Sequence, residues 1–127
     1  MPVKVVDASA LAAVVFGEPD ANRVAARLGE DGLAAPALLP FELASVCLGK
    51  LRRHPDRREA ILAAYSEARQ LDITETDVDF DEVLALAQEE TLTVYDASYL
   101  WLALSLGVDL VTLDTPLAKA YHRRRES

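Results

Sequence analysis

The sequence predicts an α/β fold in which a parallel sheet of about four strands lies between layers of helices. Three observations carry that expectation. Short runs rich in β-branched and aliphatic residues end at Asp7, Pro36, Thr74 and Leu113. The stretches between them are helical in pattern and long enough to act as crossovers, which parallel neighbours require and which are nearly always right-handed. The 127 residues, 51% of them hydrophobic, suffice for one core and leave no room for a second. Residues 1–127 therefore read as a single domain with a basic tail at about 122–127.

Val3-Lys-Val-Val-Asp7 is the first strand, and Ala8 to Phe16, dominated by Ala, Leu and Val, is the helix that follows it. Gly17-Glu-Pro-Asp20 punctuates the chain, and Ala21 to Glu30 continues as a second helix closed by Asp31-Gly32. Leu33 to Pro36 is a short second strand. Pro40, acceptable at a first helical position, leads into Phe41 to Arg53, where Leu43, Val46 and Cys47 share a face. Pro55-Asp56 interrupts, Arg57 to Gln70 is helical, and Leu71 to Thr74 is a third strand. Asp77 is placed to cap a helix running to about Glu90, and Asp96 to open one from Ala97 to Leu106 that Gly107 stops. Val108 to Leu113 forms the last strand, and Thr115-Pro116 begins a helix through Ala120.

Composition narrows the function. Thirteen Lys and Arg against 21 Asp and Glu give a formal charge of −8, which argues against a protein that coats nucleic acid by bulk charge, since that mode needs basic groups to displace phosphate counterions. One cysteine and two histidines exclude a disulfide scaffold and a zinc finger. The longest uncharged run, Ala97 to Val108, has twelve residues, short of the ~20 that span a bilayer. Asp7 falls where a secretory leader would be apolar, so a cytoplasmic location is expected.

In open parallel sheets, functional groups gather beyond the carboxyl ends of the strands, where the strand order reverses. Asp7 closes the first strand and Asp114 the last. Glu42 is the only charge between Leu33 and Gly49, and Asp96 stands at the start of the most hydrophobic helix. Each acid also has a plain structural role open to it: Asp96 as an N-cap, Asp114 as a turn residue, Glu42 on a helix surface. Asp7 resists that account, because a carboxylate at the end of a central strand is costly to bury unless paired or metal-bound. Converging carboxylates cannot all stay ionised unaided, and an all-oxygen donor set favours Mg²⁺ or Mn²⁺. Such a site suits phosphodiester hydrolysis, because the ion binds phosphate oxygens and activates water.

Val5-Val-Asp7-Ala-Ser9, Glu42 after Pro36 and Pro40, Val94-Tyr-Asp96-Ala-Ser-Tyr99-Leu, and Leu110-Val-Thr112-Leu-Asp114 together resemble the PIN domain, specifically the VapC-type toxins of toxin–antitoxin pairs. The resemblance runs from Val3 to about Ala120. It implies a three-layer α/β/α fold and a metal-dependent endoribonuclease whose acids are Asp7, Glu42, Asp96 and Asp114, with Ser9 and Thr112 as supporting hydroxyls. It also implies a homodimer, neutralised by a VapB-like antitoxin that blocks the acidic groove with a basic side chain. An RNA target with unpaired structure, such as a tRNA or rRNA loop, fits better than a duplex. The competing reading is a catalytically silent PIN-fold interaction module.

The remaining features have two readings each. Lys50, Arg52, Arg53, Arg57 and Arg58 either guide an RNA backbone or form a solvated face. His122 to Arg125 has the same choice between guiding RNA and being a frayed end, with the frayed end favoured. Tyr95, Tyr99 and Trp101 include candidates for base stacking, although Tyr99, Ala103 and Leu106 share a helical face expected in the core or an interface. Cys47 reads as a small core residue, and the acids from Asp72 to Glu90 as solubilising surface.

Overall fold

β1 (Val3–Val6) occupies the interior of the sheet because Val5 and Val6 carry no exposed surface, as expected of a strand covered on both faces. The computed structural model describes residues 2–126. β1 is followed by α1 (Ala8–Val15) and α2 (Ala21–Leu28), then β2 (Gly32–Pro36), α3 (Leu39–Arg53), a 3₁₀ turn at Pro55–Arg57, α4 (Arg58–Ala68) and β3 (Ile73–Thr76). The chain continues through α5 (Phe80–Glu90), α6 (Val94–Leu106), β4 (Leu110–Val111) and α7 (Thr115–Glu126). The element order matches the sequence expectation throughout.

All the strands are parallel, in the order β3-β2-β1-β4. The chain steps outward from β1 to β2 and β3, then returns to place β4 on the other side of β1. The order therefore reverses between β1 and β4, which opens a crevice at their carboxyl ends. Helices α1 to α4 pack among themselves, while α6 lies across β1, β2 and β4 and between α5 and α7, completing a three-layer α/β/α architecture. α1 buries Ala8 and every residue from Ala10 to Ala13; α6 buries Ala97 to Leu100, Leu102 and Ala103. Helices apolar on all sides belong inside a domain, and Leu100, fully buried, contributes about 1.5–3 kcal/mol by area.

Several boundaries differ from the sequence expectation, for identifiable reasons. β3 begins at Ile73, because pairing with β2 sets Leu33 opposite Ile73 and Pro36 opposite Thr76, while Leu71 is spent in the turn after α4. β4 shrinks to Leu110–Val111. The Val108 amide donates to the Ala103 carbonyl at the end of α6; at the other end, the Leu113 and Asp114 amides turn to the hydroxyls of Ser9 and Thr112. α5 is capped by Asp79, whose carboxylate accepts from the Glu82 amide at 3.1 Å, and not by Asp77. α6 starts at Val94 with Thr93 as its cap, so Asp96 lies inside the first turn.

The basic end is ordered helix, not a frayed tail: α7 runs to Glu126. Arg123 reaches Glu90 at 2.8 Å, Arg124 reaches both Glu89 and Glu90 at 2.6 Å, and Arg125 donates to the Tyr121 hydroxyl at 2.7 Å. The pairs with Arg123 and Arg124 hold the Glu90 carboxyl below its ordinary value and tie α7 to α5. Cys47 is buried as expected, whereas Leu106 is about half exposed and outside the core.

Candidate active site

Asp7 follows β1 directly and serves as the N-cap of α1, and only 4% of its surface is exposed. Its Oδ1 accepts from the Ser9 hydroxyl at 2.7 Å and from the Ala10 amide at 3.0 Å, and its Oδ2 accepts from the Thr112 hydroxyl. The same hydroxyls take up backbone donors of the β4 exit: Ser9 Oγ accepts from the Leu113 amide and Thr112 Oγ1 from the Asp114 amide, each at 3.0 Å. Ser9 and Thr112, 103 positions apart, therefore pin the ends of β1 and β4 to one carboxylate. Burial pushes the Asp7 carboxyl above the ordinary range, with the charge of Asp114 adding to that rise, even though three hydrogen bonds oppose it.

Asp114 caps α7, its Oδ1 accepting from the Leu117 amide at 3.0 Å. Its structural role is thus a helix cap, not the turn residue that the sequence suggested. Asp96 is in the first turn of α6, where a carboxylate is favoured by the helix dipole. Burial raises its pKa, and Asp114 and Asp7 raise it further. Glu42, in the first turn of α3, accepts at Oε1 from the Tyr99 hydroxyl at 2.7 Å. Its pKa is raised mainly by burial, then by Asp96 and Asp7, against the pull of the Tyr99 hydrogen bond.

The structure thus brings the acids from β1, α3, α6 and the β4 exit into one electrostatic neighbourhood, with Asp7 felt by both Glu42 and Asp96. Among the described residues none of these carboxylates forms an ion pair. Also among the described residues, no three of His, Cys, Asp and Glu stand close enough together to enclose an ion directly. The donor chemistry nonetheless fits a hard divalent cation: oxygen donors in a negative crevice, with raised pKa values that an added positive charge would relieve. Mg²⁺ in particular keeps several of its waters and takes few protein ligands, so it does not need a closed cage.

Tyr99 is the residue that sequence reasoning assigns to the core and that belongs equally to the site. It is fully buried, yet its hydroxyl needs a partner, and Glu42 supplies it. The available signal is its position one turn after Asp96 on α6. Tyr99→Phe is expected to reduce the activity of this site about tenfold, as loss of a group that orients a ligand does. It should also move the acid limb of the pH–rate profile upward, because the hydrogen bond that lowers the Glu42 pKa is gone. An unmoved acid limb would separate Tyr99 from Glu42.

Of the other candidates, Trp101 donates to Glu82 at 2.8 Å and Tyr95 is 63% exposed. Lys50 is tied to Glu18 at 2.6 Å and sits over the Phe16 ring, while Arg52, Arg53, Arg57 and Arg58 are exposed.

A parallel sheet whose order reverses at an acidic crevice, with carboxylates at two strand exits and two helix starts, defines a class, and comparison with known families identifies it. Residues 4–123 match the PIN domain family, and the chain belongs to that family. Among characterised relatives it is 34% identical over 119 residues to Ribonuclease VapC3 of Mycobacterium tuberculosis, from both strain CDC 1551/Oshkosh and strain H37Rv, covering 92% of this chain and 86% of that protein. Among solved structures it resembles PAE2754 from Pyrobaculum aerophilum, with a TM-score of 0.75 and 30% identity across 94% of this chain and 84% of that one.

Proposed function

We propose that this chain is a metal-dependent endoribonuclease toxin that hydrolyses RNA phosphodiester bonds in the cytoplasm and is neutralised by a VapB-like antitoxin. The observation that carries the reading is Asp7: a buried carboxylate, without an ion pair among the described residues, held by Ser9, Thr112 and the start of α1 at the point where the sheet order reverses. Membership of the PIN family and likeness to a ribonuclease over most of both chains support it.

Asp7, Asp96 and Asp114 would hold Mg²⁺ or Mn²⁺, directly or through water, with Glu42 contributing to a second ion or orienting the attacking water. When bound, the ion binds phosphate oxygens, acidifies a water and stabilises the leaving oxygen. The protein's own contribution is rigidity and polarity. Ser9 and Thr112 fix both oxygens of Asp7, α7 fixes Asp114, and Tyr99 fixes one oxygen of Glu42. Unpaired RNA, a tRNA or rRNA loop, is the expected target, because its backbone and bases are accessible without opening a duplex.

Two surfaces suit the proposed partners. Phe80, Val94, Tyr95 and Phe41 are all exposed and line adjoining clefts that share Leu38 and Tyr95. Apolar surface of this kind marks a protein contact, here the second copy of a homodimer. Phe80→Asp, at the acid-tolerant first position of α5, is expected to halve the mass seen by light scattering without unfolding the chain; an unchanged mass would remove this face from the dimer. A cleft between α1, α3 and α4, lined by Leu11, Leu39, Leu43 and Tyr65, suits an apolar segment of the antitoxin.

The deciding experiment incubates the purified protein with total RNA, with Mg²⁺ or with chelator, alongside the Asp7→Asn variant. Cleavage only by the unaltered protein with Mg²⁺ supports the proposal. Cleavage by neither protein leaves the catalytically silent interaction module.

A further inference from the structure

Another cleft, of about 280 Å³, lies beyond the end of the edge strand β4, between α2 and α7. Its two walls are basic. Arg23 and Arg27, four residues apart, share one face of α2; Lys119 and His122, three apart, share one face of α7. Its floor is Val24, Leu113 and Ala118, and its inner end is formed by Thr112 and Asp114. Those last two residues already belong to the acid crevice, so the basic cleft opens directly onto it. In a chain of formal charge −8, three cationic side chains with a histidine beside them, facing one cleft that contains a single acid, form a local reversal of sign.

The helical period explains how the basic end of the chain divides. Arg123 and Arg124 turn toward Glu89 and Glu90, and Arg125 turns to Tyr121. Lys119 and His122 face the cleft instead, and among the described residues neither forms an ion pair. Arg23 pairs with Asp20 at 2.9 Å, but both are well exposed, and such a pair is worth little and yields readily to a stronger anion. Arg27 donates to the Leu110 carbonyl at 3.3 Å and so orders the α2 wall against β4.

We propose that this cleft is a phosphate-binding subsite that seats the backbone of single-stranded RNA beside the scissile bond. Arg23, Lys119 and His122 contact phosphates, and Arg27 positions the wall. The inference rests on the ribonuclease reading and adds to it the side from which the strand enters. Phosphate contacts of this kind fix register without reading sequence.

The test is the Arg23→Gln/Lys119→Gln double variant, at two exposed positions where the fold does not depend on the side chain. A fluorescent single-stranded RNA oligonucleotide is titrated in chelator, so that nothing is cleaved, at several salt concentrations; cleavage is then measured with Mg²⁺. The double variant is expected to bind about tenfold more weakly at low salt. Its slope of log K against log salt should be shallower by about 1.4, at roughly 0.7 for each single-strand phosphate that the variant leaves unneutralised. The loss in cleavage should fall on KM more than on kcat. Arg52→Gln/Arg53→Gln, on the exposed end of α3, should leave the slope unchanged. An unchanged slope and KM in the cleft variant would overturn the subsite while leaving the ribonuclease reading intact, as would unchanged RNA binding combined with weakened binding of an antitoxin. RNA binding that depends on the cleft in a protein that never cleaves would keep the subsite and overturn the nuclease.

Discussion

Asp7→Asn is expected to lower kcat/KM for RNA cleavage by on the order of 10³-fold or more, because it removes the central charge through which the proposed ion would be held. The same substitution should leave the melting temperature unchanged or higher. Asn keeps an oxygen to accept from the Ser9 hydroxyl and the Ala10 amide, and its amide nitrogen can donate to Thr112 Oγ1. What disappears is a buried negative charge that Asp114, Glu42 and Asp96 all oppose. Relief of that repulsion should be worth on the order of 1 kcal/mol, typical of a favourable single substitution. Cleavage assays with Mg²⁺ and calorimetric melting in chelator check both halves. Activity within tenfold of the unaltered protein would remove Asp7 from the mechanism, and a large fall in melting temperature would show its charge to be structural.

The strand exits are the legible part of this fold. Val3 to Asp7 and Val108 to Leu113 read as strands, closed by Asp7 and Asp114, because a β-branched run must stop where its backbone leaves the sheet. The strand order, and with it the reversal between β1 and β4, is not legible in the sequence and comes from the structure. What local pattern does not reveal is set by partners distant in sequence. β3 falls at Ile73–Thr76 because β2 determines its register, and β4 is short because the hydroxyls of Ser9 and Thr112 capture the amides that would have extended it. Asp96 looks like a cap; Thr93, three residues earlier, takes that role and leaves the carboxylate inside the first turn. Tyr99 reads as core because local spacing reports the helix face and not what the hydroxyl meets 57 positions away. The basic cleft has no local signature, since Arg23 and Arg27 meet Lys119 and His122 only when α2 and α7 close around the sheet edge.

The second large effect joins pH, metal and stability. Asp7, Glu42 and Asp96 all have folded-state pKa values above their ordinary ones, with burial as the leading cause. Groups of this kind contribute stability that is fully present below the unfolded value, about 4 for a carboxylate, and lost as pH rises through the raised folded values. Glu90 works the other way: Arg123 and Arg124 lower its pKa, so its contribution is present above the ordinary value and lost as pH falls. The difference in melting temperature between the unaltered protein and Asp7→Asn cancels Glu90 and isolates the crevice. In chelator, that difference should widen in favour of Asn as pH rises from about 4 toward neutrality. Mn²⁺ should then reverse it at neutral pH, because an ion bound by the ionised acids stabilises only the protein that holds it. At one hundred times its dissociation constant the gain is about 2.7 kcal/mol, roughly a 10 °C rise for a domain of this size, and Asp7→Asn should show little of it. The rise should shrink at acid pH as protons compete with the metal for the same oxygens. A melting temperature indifferent to Mn²⁺ at neutral pH would mean that the acids repel one another without gathering an ion, and the proposed hydrolytic chemistry would lose its basis.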